Sequence, residues 1–279
     1  MRTLIRMKTK ALGDTIGASP YFEEYRKKSG DEIYVSCNFI DLLQPIYPKV
    51  KFIQFGFKND SMFDRVFNLD FSFDIPLQKG FSDQLGLDYI EIRPTVSLPD
   101  SSRPFDGKYV CVAMQSTCQG KYWNNPGGWE KLFSLLRKNG ITPICIDQHN
   151  SFGVIGFFNN LPGNCVDRTG MPLDKILSYI EHCEFFIGLS SGLSWLAHSS
   201  GKHTVVISGF THSWCEYTID TTRIINEGVC HGCFNEPGKT PFDPGDWLWC
   251  PHNKNTKEEF ICSKSISPDF VWERIKKII

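Results

Sequence analysis

The chain twice repeats one pattern: a short run of β-forming residues, a glycine-bearing turn, a helical stretch, and another β-forming run. In the first half RTLIRMKT is followed by the turn ALGDTIGASP, the helical YFEEYRKKSG ended by its glycine, and the strands EIYVSC and KVKFIQF. Strands separated by a crossover helix pair in parallel, so this order predicts an α/β fold whose ligand-binding loops gather at the carboxyl ends of the strands. FDRVFNLDFSF and LDYIEIRP read as short strands or their flanks, and RPTVSLPDSSRPFDG, without periodicity, as an interdomain linker. The pattern then restarts. KYVCVAMQ, ITPICID, EFFIGL and HTVVISG read as strands, and GWEKLFSLLRKNG, MPLDKILSYIEHC and SGLSWLAHSSG as helices. The expectation is two Rossmann-like domains facing a cleft, over residues 1–95 and 96–266, with a C-terminal helix over 267–279.

At 279 residues there is ample core for two such units, and 41% hydrophobic with 22% charged residues is a globular composition. A net charge of -1 gives no electrostatic reason to expect nucleic acid or an anionic membrane as partner. MRTLIRMKTKALGD breaks its apolar run too often for a signal peptide, and FFIGLSSGLSWLA is too short and too rich in Ser and Gly to span a bilayer. A cytosolic, enzyme-sized protein is the expectation.

Three loops carry groups suited to chemistry. Asp14, in the turn after the first strand, is placed to be a general base in the cleft or a helix N-cap. In QSTCQGKYWNNPGGW the Thr117 hydroxyl and backbone amides precede Lys121, a set suited to pyrophosphate, although the loop lacks the ending of a P-loop. In FIGLSSGLSWLA, Ser190, Ser191, Gly192 and Leu193 lie between a strand and a helix, where free backbone amides receive an anion or hydroxyls cap the helix. A second small-residue turn, Ser208, Gly209, Phe210 and Thr211, follows the next strand on the same edge.

Of eleven cysteines, Cys111, Cys145 and Cys183 sit singly in apolar runs and read as small buried hydrophobes. Cys230, Cys233, Cys250 and Cys262 differ, standing in a loop rich in Gly and Pro over residues 228–266. A CxxC pair with two further thiols suits a structural tetrathiolate site for zinc or iron; disulfides or reactive thiols are the alternative. His231 and His252 are candidate substitute ligands.

Together, GDTIGASPYFEEY, GKYWNNPGGWEKL, FIGLSSGLSWLAHSSGK, VVISGFTHSWCEY and CHGC resemble the bacterial heptosyltransferase family. The branch they are most similar to is the autotransporter strand-loop-strand O-heptosyltransferases. The similarity runs in order over nearly the whole chain. It implies a GT-B fold, with the acceptor on the side of residues 1–95 and the donor held mostly by residues 96–266. Asp14 then matches the family's base or acceptor-site carboxylate, Lys121 the lysine on the donor diphosphate, and Ser190 to Leu193 the phosphate turn. Many lipopolysaccharide heptosyltransferases have Asp where this chain has Ser190, which favours the protein-modifying branch. Family members also carry a further N-terminal region, whereas this chain starts almost at its first strand.

The implied activity is inverting transfer of heptose from ADP-heptose to a Ser or Thr hydroxyl of a bacterial protein such as an autotransporter adhesin. Asp14 and Lys121 would be catalytic; Thr117, Ser190, Ser191, Gly192, Leu193, Ser208, Gly209 and Thr211 would bind the donor. No catalytic metal is expected, since fixed donors can supply the charge. The resemblance implies iron at the four cysteines. The same fold would also serve another nucleotide sugar or a glycan or lipopolysaccharide acceptor, and a catalytically idle, metal-stabilised binding subunit is the remaining alternative. The expected setting is the bacterial cytoplasm, with homo-oligomerisation left open.

Overall fold

Apolar β-formers at the start of each half build a parallel sheet, as a strand–helix–strand order requires. The computed structural model describes residues 1–99, 102–154 and 156–279. The first half contains β1 (Arg2–Met7), α1 (Leu12–Ser29), β2 (Glu32–Cys37), α2 (Ile40–Leu43), β3 (Lys51–Gln54), β4 (Arg65–Leu69) and α3 (Leu77–Gln84). Its sheet runs in the order β3-β2-β1-β4, all parallel.

The second half begins with β5 (Tyr109–Val112), α4 (Gly128–Lys138) and β6 (Thr142–Cys145). After these come β7 (Ser151–Val154), β8 (Phe157–Asn160), β9 (Val166–Asp167), α5 (Leu173–His182) and β10 (Phe186–Gly188). The chain closes with α6 (Gly192–Ser199), β11 (Thr204–Ile207), β12 (Thr221–Ile224), α7 (Ile261–Lys264) and α8 (Pro268–Ile275). Its parallel sheet has the order β12-β11-β10-β5-β6-β9, and β7 and β8 form a separate antiparallel hairpin. All four residues of β5 are buried, as befits a central strand covered on both faces. The strand order reverses direction beside β5 in this sheet and beside β1 in the other. Ligands of open parallel sheets enter at such a point.

The structure moves several expected boundaries. The helix read over YFEEYRKKSG starts nine residues earlier, at Leu12, and runs through Gly13, Gly17 and Pro20. Pro20 cannot donate to the Ile16 carbonyl one turn back; the Ser19 hydroxyl does so instead, at 2.8 Å. LDYIEIRP forms no strand. Glu91 accepts the backbone N–H groups of Thr218 and Ile219, and Arg93 donates to the carbonyls of His198 and Lys202. The segment is thereby tied to the second half through side chains, not through a ladder. β7, β8, β9 and β12 were not legible as strands, being short or half exposed and lacking a buried apolar run. Of the expected linker, Asp100 and Ser101 lie outside the described residues.

One apolar core runs from Ile5, Ile16 and Phe22 of the first half to Tyr109, Ile144, Trp195 and Tyr217 of the second. Its crossing point is α1 against α6. Burying a Trp side chain of about 200 Å² contributes up to ~5 kcal/mol, so Trp195 alone makes a substantial part of this junction. Among the described residues no helix is long and apolar enough to cross a membrane.

Candidate active site

α1 begins at the end of β1, and its first turn carries Asp14, partly buried. Ala11, not Asp14, holds the N-cap, so capping does not explain the carboxylate. Burial pushes the Asp14 carboxyl above its usual range. A hydrogen bond from Thr9 and the Lys121 ammonium hold it down, while the Asp70 charge adds to the rise. Asp14 and Lys121 therefore feel each other although they belong to different halves.

Lys121 ends a short 3-10 turn, Gln119–Lys121, on the loop after β5. Its ammonium stands 5.7 Å above the Phe210 ring and 5.3 Å from the Phe234 ring centre. It forms no ion pair among the described residues. The loop itself is held by Asp147 at the end of ITPICID, whose Oδ2 accepts the Met114 N–H at 2.6 Å. Burial lifts the Asp147 carboxyl to about 6, and the hydrogen bonds it accepts restrain the rise. Thr117 lies exposed on the same loop.

Gly192 opens α6, and Ser191 occupies its N-cap position without making a side-chain cap. The Ser191 hydroxyl is buried with no hydrogen-bond partner among the described residues, and it stands at the N-terminus of α6, where the first N–H groups have no partner within the helix. Ser190, Ser208 and Thr211 behave differently. All three are buried, and their hydroxyls serve one another: Ser190 and Thr211 at 2.9 Å, Ser208 and Thr211 at 2.8 Å. Their side chains shape the two turns from behind, while Ser191, Gly192 and Leu193 are partly exposed. Arg223 and Glu216 complete this cluster as a buried ion pair and were missed in the sequence. The signal available was a single charge in the otherwise uncharged run TIDTTRIIN after its aspartate.

The four cysteines converge. Cys230, Cys233, Cys250 and Cys262 line one cavity of about 20 Å³, room for a single small ion or water. The Cys230 and Cys233 sulfurs are 3.8 Å apart, and Cys250 Sγ accepts the Phe260 N–H at 3.5 Å, as a thiolate ligand would. The donor set thus fits a thiophilic ion. His252 also approaches: its ring nitrogen and the Cys230 and Cys233 sulfurs lie within 4.8 Å of one another.

The loop is rooted in Phe210, Phe234, Phe242 and Trp249, whose ring centres are 5.0–5.7 Å apart. Two of these rings also carry Lys121. On the other side the loop meets the second small-residue turn: a Cβ on Gly209 would fall 2.6 Å from the Cys262 carbonyl carbon, so only glycine allows this approach. The cysteine loop therefore adjoins both the lysine loop and the turn after β11.

A roomier cavity of about 630 Å³ lies between β12 and α8, lined by Arg223, Asn226, Ser265 and Arg274 among others. None of the sequence-predicted residues lines it. The loop ends are the better site because acid, cation, unpaired hydroxyl and helix N-terminus meet there.

No family model matches the chain. The autotransporter heptosyltransferase TibC of Escherichia coli O78:H11 is 35% identical over 95% of this chain and 68% of its own length. The autotransporter heptosyltransferase BAHTCr of Citrobacter rodentium gives the same identity and coverage. The chain belongs to the autotransporter heptosyltransferases. The crystal structure of TibC from enterotoxigenic E. coli H10407, described as an iron-containing dodecameric glycosyltransferase, superposes with a TM-score of 0.93. It covers 99% of this chain and 75% of TibC at 32% identity. A second TibC structure, in complex with ADP-D-beta-D-heptose, gives a TM-score of 0.92. Among these heptosyltransferases one, BimC of Burkholderia thailandensis, is named inactive; it is 28% identical over 99% of this chain and 68% of its own length. The two facing halves are the GT-B arrangement of this family, and the enzyme class is that of a glycosyltransferase.

Proposed function

We propose that the protein transfers heptose from ADP-heptose to a Ser or Thr hydroxyl of an autotransporter protein, with inversion at the anomeric carbon. The observation that carries this reading is the close meeting of three loops: a Cβ on Gly192 would stand 3.3 Å from the Gly13 nitrogen beside Asp14, and Ser116 of the lysine loop donates to the Ser190 carbonyl at 3.3 Å. Asp14 takes the proton from the acceptor hydroxyl as its oxygen attacks the anomeric carbon. The bond from that carbon to the phosphate oxygen breaks, and ADP leaves with the electron pair. Lys121 and the N–H groups at Ser191 and Gly192 stabilise the charge gathering on the diphosphate. Thr117 and Leu193 border the donor, while Ser190, Ser208, Gly209 and Thr211 shape its turns.

The acceptor side in this reading is residues 1–95 and the donor side 96–266, with 267–279 as a terminal helix. Its support is the break between the sheet ending at β4 and the one starting at β5. Cys230, Cys233, Cys250 and Cys262 hold one structural ion, iron in keeping with TibC, and clamp the loops that carry Lys121 and Gly209. A cytoplasmic setting accords with eleven cysteines of which none is bridged. Self-assembly is proposed from the dodecameric state of TibC.

The named inactivity of BimC supports one competing reading, an idle binding subunit. A thermal-shift panel separates the donor choices: ADP-heptose and ADP should raise the melting temperature, whereas UDP- and GDP-sugars should not. A protein indifferent to every adenine nucleotide would contradict the donor reading.

A further inference from the structure

Arg223 and Glu216 form an ion pair with side chains only 8% and 10% exposed, at the foot of the turn that opens α6. Removing two charges from water is costly, and apolar side chains of similar volume often serve stability as well or better. Packing alone therefore gives little reason for the pair. Its placement gives one. Arg223 Nη1 donates to Ser190 Oγ at 3.3 Å, and that oxygen also meets Thr211 Oγ1 at 2.9 Å and Ser208 Oγ at 3.4 Å. Glu216 takes the other terminal nitrogen, so the pair presents its positive end to Ser190. The next residue in the chain is Ser191, whose hydroxyl has no partner among the described residues. Both small-residue turns, after β10 and after β11, are thus tied to one guanidinium.

We propose that Arg223, aligned by Glu216, is a positioning residue for the donor diphosphate. Through Ser190 it fixes the turn Ser190–Ser191–Gly192 in the shape that receives the anion, and it places a fixed positive end behind that turn. It does not touch the donor. This inference rests on the donor reading above and adds residues that no sequence motif pointed to. It also says why three hydroxyls of the turns are buried: they transmit the geometry that Arg223 sets.

The test is ADP binding by calorimetry on the full chain, with melting temperature and donor and acceptor KM measured beside it. Arg223→Gln combined with Glu216→Gln removes both charges and leaves no unpaired ion. Its ADP affinity should fall by about tenfold or more. Donor KM should rise while acceptor KM stays near that of the parent, a split that general loosening of the fold would not give. Arg223→Lys keeps a charge but loses the fork, and should lie between the two. Ser190→Ala should weaken ADP binding less in the charge-free background than in the parent, because both act through one contact. Unchanged ADP affinity in the folded double variant overturns the proposal, as do effects additive with Ser190→Ala. Should the double variant not fold, unchanged ADP affinity in Arg223→Lys overturns it instead. A parent that binds no ADP would sink the donor reading itself, and this inference with it.

Discussion

Gly13 and Gly192 lie back to back where α1 crosses α6, so the Asp14 turn and the turn that opens α6 meet closely. A Cβ on Gly192 would stand 3.0 Å from the Leu12 Cβ and 3.3 Å from the Gly13 nitrogen; one on Gly13 would stand 2.9 Å from Trp195 Cδ1. Gly13→Ala should therefore push α1 off Trp195. The expected cost is ~1–3 kcal/mol in denaturant unfolding. Transfer should fall by about tenfold or more even where the variant is fully folded, since a displacement of ~1 Å can cost about 100-fold. Unchanged turnover in Gly13→Ala would show that the spacing is not catalytic.

Lys121 is held over two aromatic rings and forms no ion pair among the described residues, so its charge is available to a ligand. Lys121→Ala should weaken ADP binding by about 10- to 100-fold and slow transfer as well, because the diphosphate meets it before and during the reaction. Equal ADP affinity for variant and parent in calorimetry would count against the assignment.

Much of this is legible in the sequence. GDT, the lysine loop and GLSSG stand out because glycine, hydroxyl and charge at strand ends break otherwise apolar runs, and the fold brings all three together. What was hidden follows from the same physics. The start of α1 was obscured by Gly13, Gly17 and Pro20, poor helix formers retained because close packing on Trp195 and the Ser19 hydroxyl compensate. Arg223 left only a faint signal, because a lone charge in a run reads as exposed until a buried partner from seven residues away is seen.

The cysteine loop offers four thiols and one imidazole, and metal content separates them. Cys262→Ser should lower bound iron or zinc from close to one equivalent per chain and weaken ADP binding, since the same loop supports Lys121 and Gly209. His252→Ala should leave metal content unchanged if four thiols close the site, and Cys145→Ser should do so in any case. Elemental analysis decides. Full metal in Cys262→Ser with loss in His252→Ala would make the site one of three thiols or fewer and the imidazole.

His198 is fully buried and stacked 3.9 Å from Tyr217, and neither ring nitrogen has a hydrogen-bond partner among the described residues. Burial lowers its pKa from 6.5 to about 3. Above the unfolded value both states are neutral and the full stability is present. As pH falls below it the unfolded chain takes up a proton that the folded one refuses, so stability is lost progressively down to the folded value. His198→Phe removes that proton while keeping the stack. Its melting temperature should therefore drop less than the parent's between about pH 7 and pH 5. Parallel curves for the two proteins would show that this imidazole is solvated in the fold.

The most direct measurement is transfer itself. The purified, metal-loaded chain is incubated with ADP-heptose and an autotransporter passenger, and the passenger is read by intact-mass spectrometry and peptide mapping. Mass gains of whole heptose residues on Ser or Thr are expected. Asp14→Ala should give none, while its ADP affinity stays within a few-fold of the parent's, because the lost group serves the acceptor proton and not the diphosphate. Passenger left unmodified by a parent that binds ADP-heptose, or modified equally by Asp14→Ala, would contradict the proposed function.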